Sequence, residues 1–318
     1  MQAGLLFDPV YPALAILLIY LATSLNNYIE TELERNRVRS AFSHYVAAPL
    51  VEELARNHDK LKLGGETREV SLLFADVRSF TTLSEGLTAE ELIRFLNELF
   101  TPLTEVILAE RGTIDKFMGD AVMAFWNAPL IDPRHASNAC RAALRMLEEL
   151  ARLNAAWAEA AARRDEVAVP VRIGIGLNTG ECCVGNVGSP QRFDYSILGD
   201  VVNVASRLEE TTKTYGFPII AGERTAAAAP ELAFLEIDAA KMRGKERLER
   251  IFALLGDEAV AASGRFRELQ AAHAKLQKAL RAGDAAAAQQ ALNACRNLAW
   301  PEVAPLYEAL GSRIPQPA

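Results

Sequence analysis

Strand patterns and long amphipathic helices alternate along the chain from Val70 onward, and this order restricts the folds open to it. The spacing of apolar, turn-forming and helix-capping residues defines each element. The predicted elements are a strand at 70–77, a helix from the capping box at Thr88 to near Gly112, a hairpin at 113–126 turning at Gly119-Asp120, a helix at 133–164, and strands at 167–177 and 181–185 around a turn at 178–180. This β-α-β-β-α-β order is typical of a ferredoxin-like or palm fold, an α+β architecture with an antiparallel sheet and helices packed on one face.

Shorter elements and an Ala-rich tail follow this core. A helix is predicted at 200–214, with strands at 218–221, 232–237 and 247–255. Residues 257–318 predict a pair of Ala-rich helices and carry no visible chemistry. The chain therefore divides into an N-terminal segment (1–26), a helical linker (27–63), a main α+β domain (64–256) and a helical tail (257–318).

An almost unbroken apolar run at 10–25 dominates the N-terminal segment. It is slightly shorter than the ~20 residues of a typical membrane span, and no Lys or Arg precedes it, which argues against a signal peptide. We interpret it as a single transmembrane helix followed by a signalling or dimerisation helix. Because Arg35, Arg37 and Arg39 follow the run, the positive-inside rule predicts an inner-membrane protein whose main domain is cytoplasmic. The alternative is a hydrophobic helix buried against a partner protein.

Charge and composition exclude several classes of function. The 318-residue chain has a formal net charge of −7, which argues against nucleic-acid binding because that requires a basic face. None of its four cysteines forms a C-x-x-C pair, and its four histidines show no metal-ligand spacing. Zinc sites and thioredoxin-like redox sites are therefore not predicted.

Two aspartates interrupt segments that otherwise have the pattern of buried strands. Asp76 ends the first strand, and Asp120 lies in the hairpin turn. Burying ionised carboxylates costs several kcal/mol unless a positive charge compensates them. A pair of divalent metal ions is one such compensation, and two-metal sites catalyse phosphoryl transfer. The alternative for Asp120 is an ordinary turn, where Asp is common.

Three blocks of residues together resemble the class III nucleotidyl cyclases, which make cyclic AMP or cyclic GMP. The blocks are Phe74-Ala75-Asp76-Val77-Arg78-Ser79-Phe80-Thr81, Lys116-Phe117-Met118-Gly119-Asp120, and Gly199-Asp200-Val201-Val202-Asn203-Val204-Ala205-Ser206-Arg207. They occur in the order and at the distances of the family, and the resemblance covers about residues 64–256. The N-terminal flank, including 41–49, resembles bacterial receptor-type cyclases that carry an extracytoplasmic CHASE-type sensor, and that sensor is absent from this sequence.

The resemblance implies a role for individual residues of these blocks. Asp76 and Asp120, with the backbone carbonyl of Val77, are expected to bind two divalent ions, Mg²⁺ or Mn²⁺. Asn203 and Arg207 are four residues apart on one helix face. They are expected to orient the ribose and to stabilise the charge that develops on the α-phosphate. The expected phosphate-binding residues are Arg172 and Lys245.

Two further residues are expected to select the base. In the family that this chain resembles, a lysine at the position of Lys116 goes with adenine and a glutamate with guanine. The second position is most often Asp in adenylate-specific enzymes, and here it is Ser196. A hydroxyl can accept a hydrogen bond from the adenine amino group or donate one to guanine O6.

The expected reaction is the conversion of ATP to 3′,5′-cyclic AMP and pyrophosphate by attack of the ribose 3′-hydroxyl on the α-phosphate. The alternatives are a guanylate or mixed-specificity cyclase and a non-catalytic nucleotide-binding signalling domain. The resemblance also implies a homodimer with two composite active sites. In each site, the metal-binding aspartates of one protomer are expected to meet the base-selecting residues, the asparagine and the arginine of its partner.

Overall fold

The computed structural model describes residues 13–14, 16–29, 64–189, 191–241, 248–312 and 314. Residues 16–29 form a helix whose apolar side chains, such as Leu17 and Tyr20, are exposed. None of the helices in these described ranges is long and apolar enough to cross a membrane. The predicted transmembrane helix is therefore not supported where the structure describes the chain. Residues 30–63, which make up most of the predicted linker, lie outside the described ranges.

The first part of the domain has the predicted β-α-β-β-α-β order. Its elements are β1 (Gly64–Val77), a short helix α1 (Phe80–Ser84), α2 (Ala89–Ala109), β2 (Thr113–Met118), β3 (Ala121–Trp126), α3 (His135–Ala162) and β4 (Ile173–Ser189). The four strands pair antiparallel in the order β2-β3-β1-β4. The capping box of α2 is confirmed, because the Glu91 N–H donates to the Thr88 hydroxyl and the Thr88 N–H donates to the Glu91 carboxylate.

β1 is longer than the sequence predicts, and β4 begins at Ile173 rather than Val167 and continues to Ser189 rather than ending at Leu177. They pair continuously from Gly64 opposite Asn186 to Val77 opposite Ile173. The turn predicted at 178–180 is therefore wrong, and β1 begins at Gly64 rather than Val70. Each strand supplies the backbone hydrogen-bond partners of the other, and this long pairing overrides the local turn preference at 178–180.

The remaining strands extend the sheet. They and the helices between them are β5 (Arg192–Leu198), α4 (Asp200–Tyr215), β6 (Ile219–Gly222), α5 (Glu223–Ala228), β7 (Ala233–Lys241) and β8 (Leu248–Gly256). β5 pairs with residues 183–189 of β4, and β6 pairs parallel with β4. The sheet is therefore mixed rather than purely antiparallel, because the crossover through α4 brings β6 back in the direction of β4.

Helices cover both faces of the sheet. Leu73 of β1 packs with α2 and α3, whereas Leu72 points to the opposite face, as the alternation of a strand requires. α4 lies on this second face and approaches β4 so closely that a Cβ at Gly176 would lie 2.2 Å from the carbonyl oxygen of Ala205. The predicted packing on one face therefore holds for α2 and α3 but not for α4.

Where the structure describes the tail, it contains four helices, whereas the sequence predicts a pair: α6 (Glu258–Ala262), α7 (Gly264–Ala282), α8 (Ala285–Leu298) and α9 (Ala304–Gly311). Leu269 and Tyr307 of the tail share a core with Leu208 of α4 and Leu235 of β7. The tail and the domain belong to one compact unit. The tail therefore supports α4 on the side away from β4.

Candidate active site

Asp76 and Asp120 lie side by side at the end of β1. Asp76 is the penultimate residue of that strand. Asp120 follows Gly119 in the β2–β3 turn, where the positive φ of 66° favours glycine. The two carboxyl groups are close enough to interact directly, and the backbone N–H groups of Val77 and Asp120 lie beside the Asp120 carboxylate. Partial burial and the neighbouring Asp76 raise the pKa of Asp120 to about 6.

This carboxylate pair has the chemistry of a divalent-cation site. Two like charges held together are stabilised by a cation or by a shared proton, and Mg²⁺ and Mn²⁺ prefer carboxylate oxygens. In the ranges that the structure describes, no group of three or more His, Cys, Asp or Glu side chains could hold a metal ion alone. A cation bound by Asp76 and Asp120 would therefore take further ligands from backbone oxygens, water or substrate phosphates.

A buried ion pair lies close to Asp76. Arg78 Nη1 is 3.0 Å from Glu209 Oε1 on α4, and both side chains are largely buried. Gly174 of β4 leaves room for the guanidinium, because a Cβ there would lie 1.7 Å from Arg78 Nη2. Burial raises the pKa of Glu209 to about 7 even though the Arg78 charge acts in the opposite direction. The pair connects β1 to α4 within one chain.

Asn203 and Arg207 lie on α4, one helical turn apart. The helix begins after Gly199 and buries the face that carries Val204 and Leu208. Asn203 is exposed and Arg207 is partly exposed. Both side chains therefore lie outside the buried face of the helix, where a ligand or a second protomer has access to them.

Asp115 connects Lys116 of β2 to Ser196 of β5. The sequence analysis did not predict a role for this residue. The Ser196 hydroxyl donates a hydrogen bond of 3.0 Å to Asp115 Oδ2. Lys116 Nζ lies 3.7 Å from Asp115 Oδ1. Two residues that are far apart in the sequence therefore form one group around a shared carboxylate.

Of the two predicted phosphate-binding residues, the structure describes Arg172 but not Lys245. Arg172 is exposed, and its carbonyl oxygen accepts the backbone N–H of Arg78 over 2.7 Å, which holds it near the end of β1. Lys245 lies outside the described residues. The phosphate contacts of both residues stay predictions.

Three charged residues near the site were missed from the sequence: Arg78, Asp115 and Glu209. Glu209 lies on the buried face of α4 with Ala205 and Thr212, and a polar residue on an apolar helix face is a signal that the sequence offered. Arg78 follows the Asp76-Val77 pair directly and had no independent signal. Asp115 depends on an irregularity in β2 that the sequence pattern does not reveal.

Comparisons with known proteins place the chain among nucleotide cyclases. Residues 64–256 match the family model described as "Adenylate and Guanylate cyclase catalytic domain". Adenylate cyclase 1 of Rhizobium meliloti (strain 1021) is 38% identical over 229 residues, which make up 70% of this chain and 33% of that protein. The chain thus spans about a third of the length of this relative.

Solved structures of two cyclases have a similar fold. The solved structure of the adenylyl cyclase CyaB from P. aeruginosa is 31% identical, with a TM-score of 0.55, and the match covers 61% of this chain and 97% of the chain in that structure. The solved structure of the guanylyl cyclase Cya2 is also 31% identical, with a TM-score of 0.56, and the match covers 61% of this chain and 95% of the chain in that structure. Because these two names differ in the base, the similarity alone does not select between ATP and GTP.

Proposed function

Because the chain belongs to the class III adenylate and guanylate cyclase family, we propose that it is an adenylate cyclase. It converts ATP to 3′,5′-cyclic AMP and pyrophosphate by attack of the ribose 3′-hydroxyl on the α-phosphate. The observation that carries this proposal is the adjacent carboxylate pair of Asp76 and Asp120, in a chain that keeps Asn203 and Arg207 on α4.

Asp76 and Asp120, with the carbonyl oxygen of Val77, would hold two divalent ions, Mg²⁺ or Mn²⁺. When bound, such ions polarise the attacking hydroxyl group and neutralise charge on the leaving pyrophosphate. The pair fits this role because its two oxygen-rich side chains repel each other without a cation or a shared proton.

α4 supplies the groups that act on the sugar and the α-phosphate. Asn203 orients the ribose, and Arg207 donates hydrogen bonds to the oxygens on which negative charge builds during the attack. Arg172 and Lys245 contact the terminal phosphates. The buried Arg78–Glu209 ion pair and the tail behind α4 hold this helix in position.

Lys116 and Ser196 recognise the base in this proposal. The Lys116 ammonium donates to adenine N1, and Ser196 accepts from the 6-amino group. A guanylate or mixed-specificity cyclase is the second candidate, because Cya2 matches this chain as well as CyaB does.

A homodimer would complete two equivalent sites. Asp76 and Asp120 of one protomer meet the base-selecting residues and the α4 residues of its partner. Phe117, Met118 and Leu198, which flank the base-selecting residues, are exposed large apolar side chains, and such groups favour an interface with another chain.

Product analysis tests this proposal. The full chain is incubated with Mg²⁺ or Mn²⁺ and equal concentrations of ATP and GTP, with Asp76→Ala as the control. We expect cyclic AMP from the wild type and no cyclic nucleotide from the variant. Cyclic GMP as the main product would favour the second candidate. No product from a verified dimer would favour a non-catalytic nucleotide-binding domain.

A further inference from the structure

Asp115 is a buried carboxylate in an unusual position in β2. The β2–β3 register shifts between Ile114 and Lys116, so Asp115 occupies a bulge rather than a regular ladder position. A bulge redirects the side chain of its extra residue, and bulges are frequent beside active sites. The Asp115 side chain is 0% exposed, whereas the neighbouring Lys116 side chain is 46% exposed.

The environment of the Asp115 carboxylate is energetically unfavourable, which suggests a functional reason for its position. Its Oδ1 atom is buried and accepts no hydrogen bond from the residues that the structure describes. Desolvation raises its pKa, and Lys116 and the Ser196 hydroxyl act in the opposite direction. Leaving a buried polar atom unsatisfied costs about 1–3 kcal/mol.

The hydrogen bond from Ser196 decides what that hydroxyl can offer to a ligand. A serine hydroxyl has one proton and two lone pairs. The Ser196 proton is committed to Asp115 Oδ2 at 3.0 Å. The same oxygen can then accept a further hydrogen bond but has no proton left to donate.

We propose that Asp115 is a specificity-determining positioning residue that converts the Ser196 hydroxyl into an acceptor and so selects adenine over guanine. This inference rests on the proposed function. The 6-amino group of adenine is a donor and matches an acceptor at Ser196, whereas the 6-oxo group of guanine is an acceptor and finds no proton there. An unpaired polar group in a binding site weakens the binding of the mismatched ligand.

The decisive measurement compares nucleotide selectivity in the full chain and in Asp115→Leu, which removes the acceptor from a buried position. The readouts are the ratio of kcat/KM for ATP over GTP and the ratio of Kd for the corresponding non-reactive analogues. We expect the selectivity for ATP over GTP to fall about tenfold by both measures, because a net hydrogen bond changes an affinity by about a factor of ten. The matched control is Asp194→Asn, which removes a nearby exposed negative charge and should leave both ratios unchanged.

A second substrate separates the effect of Asp115 from that of Lys116. 6-Methoxypurine riboside triphosphate keeps the N1 acceptor of adenine but presents only an acceptor at position 6. The wild type should prefer ATP to this analogue, and Asp115→Leu should reduce that preference. A similar loss of activity with every nucleotide, at unchanged ratios, would mean that Asp115 only supports the fold and would overturn the proposal.

Double variants test whether Asp115 acts through Ser196. In a Ser196→Ala background, Asp115→Leu should not change the ratios further, because no hydroxyl remains to be oriented. Adding Ser196→Asp to Asp115→Leu should restore ATP selectivity, because a carboxylate is an acceptor without help. Failure of either expectation counts against the proposal.

Two further measurements decide the result if a protein does not fold or shows no turnover. If Asp115→Leu does not fold, Ser196→Ala alone decides: a loss of ATP selectivity supports an acceptor hydroxyl, and an unchanged ratio overturns it. If the wild type turns over neither nucleotide, the proposed function fails, whereas the Kd ratios still decide the role of Asp115.

Discussion

The proposed site has a metal half, defined by Asp76 and Asp120, and a base half, defined by Asp115, Lys116 and Ser196. In the metal half, two carboxylates lie next to each other. In the base half, one carboxylate lies between a cation and a hydroxyl group. The metal half thus carries excess negative charge that an external cation can compensate. In the base half, Lys116 and the Ser196 hydroxyl group compensate part of the cost of burying the Asp115 carboxylate. The difference predicts that the metal half controls whether reaction occurs, while the base half controls which nucleotide reacts.

The largest expected effect comes from the metal half. Asp76→Ala or Asp120→Ala should lower kcat with ATP and with GTP by at least about a thousandfold, because charge stabilisation in the transition state is lost. Steady-state kinetics on a dimer verified by light scattering checks this. Asp194→Asn is the control for loss of an exposed carboxylate. Substantial residual activity would contradict the assignment of the aspartates to metal binding.

Mixing two inactive variants tests whether the two halves come from different protomers. Asp76→Ala and Arg207→Ala should each be inactive, and re-equilibrated mixtures should regain about a quarter of wild-type activity. A quarter is expected because half of the dimers are mixed, and each mixed dimer has one intact site out of two. Activity after verified subunit exchange is the measurement, and Asp76→Ala mixed with Asp120→Ala is the control that should stay inactive. No recovery in verified heterodimers would rule out a shared site.

A smaller effect concerns stability without metal. The pKa of Asp120 is raised from 3.8 to about 6, so the folded state loses stability as pH rises through this range. Asp76→Asn removes the repulsion and should stabilise the metal-free protein at pH 8 by about 1 kcal/mol after allowance for solvent screening. Thermal unfolding with and without Mg²⁺ measures this, and the variant should gain less from Mg²⁺ than the wild type does. Equal gains in both proteins would argue against a cation at this pair.

A further effect, confined to the pH dependence of stability, is expected at the Arg78–Glu209 ion pair beside the metal half. Glu209 has a folded-state pKa raised from 4.5 to about 7. The folded state binds its proton more tightly than the unfolded state, so its contribution to stability declines as pH rises from 4.5 towards 7. Glu209→Gln should therefore flatten the pH dependence of the unfolding free energy by on the order of 1 kcal/mol over this window. Chemical denaturation at several pH values provides the test, and parallel curves for the two proteins would contradict it.

Local sequence signals predicted several features of the site that the structure shows. The hairpin with its turn at Gly119-Asp120 depends on adjacent residues only, and it lies where the pattern indicates. The start of α2 depends on the contact between Thr88 and Glu91, three positions apart, and it is confirmed. Family membership, predicted from three short blocks, is confirmed as well.

Features that depend on long-range pairing were not predictable in this way. The continuous β4 strand exists because β1 pairs with it along its length, and this pairing overrides a plausible turn. The Arg78–Glu209 pair joins residues that are far apart in the sequence and requires the space left by Gly174.

The membrane span predicted from the apolar run at 10–25 is not supported by the helices in the described ranges.

The sequence by itself identified the proposed reactive groups of this protein, because the aspartates, the asparagine and the arginine occur in short blocks that resemble those of the family. The tertiary structure decided which side chains act on one another. A bulge in β2 turns Asp115 towards Ser196 on β5, and this contact removes the ambiguity of a hydroxyl that could either donate or accept. The physical reason is that hydrogen-bond partners across a sheet depend on register and local irregularity, which a residue and its sequence neighbours do not specify.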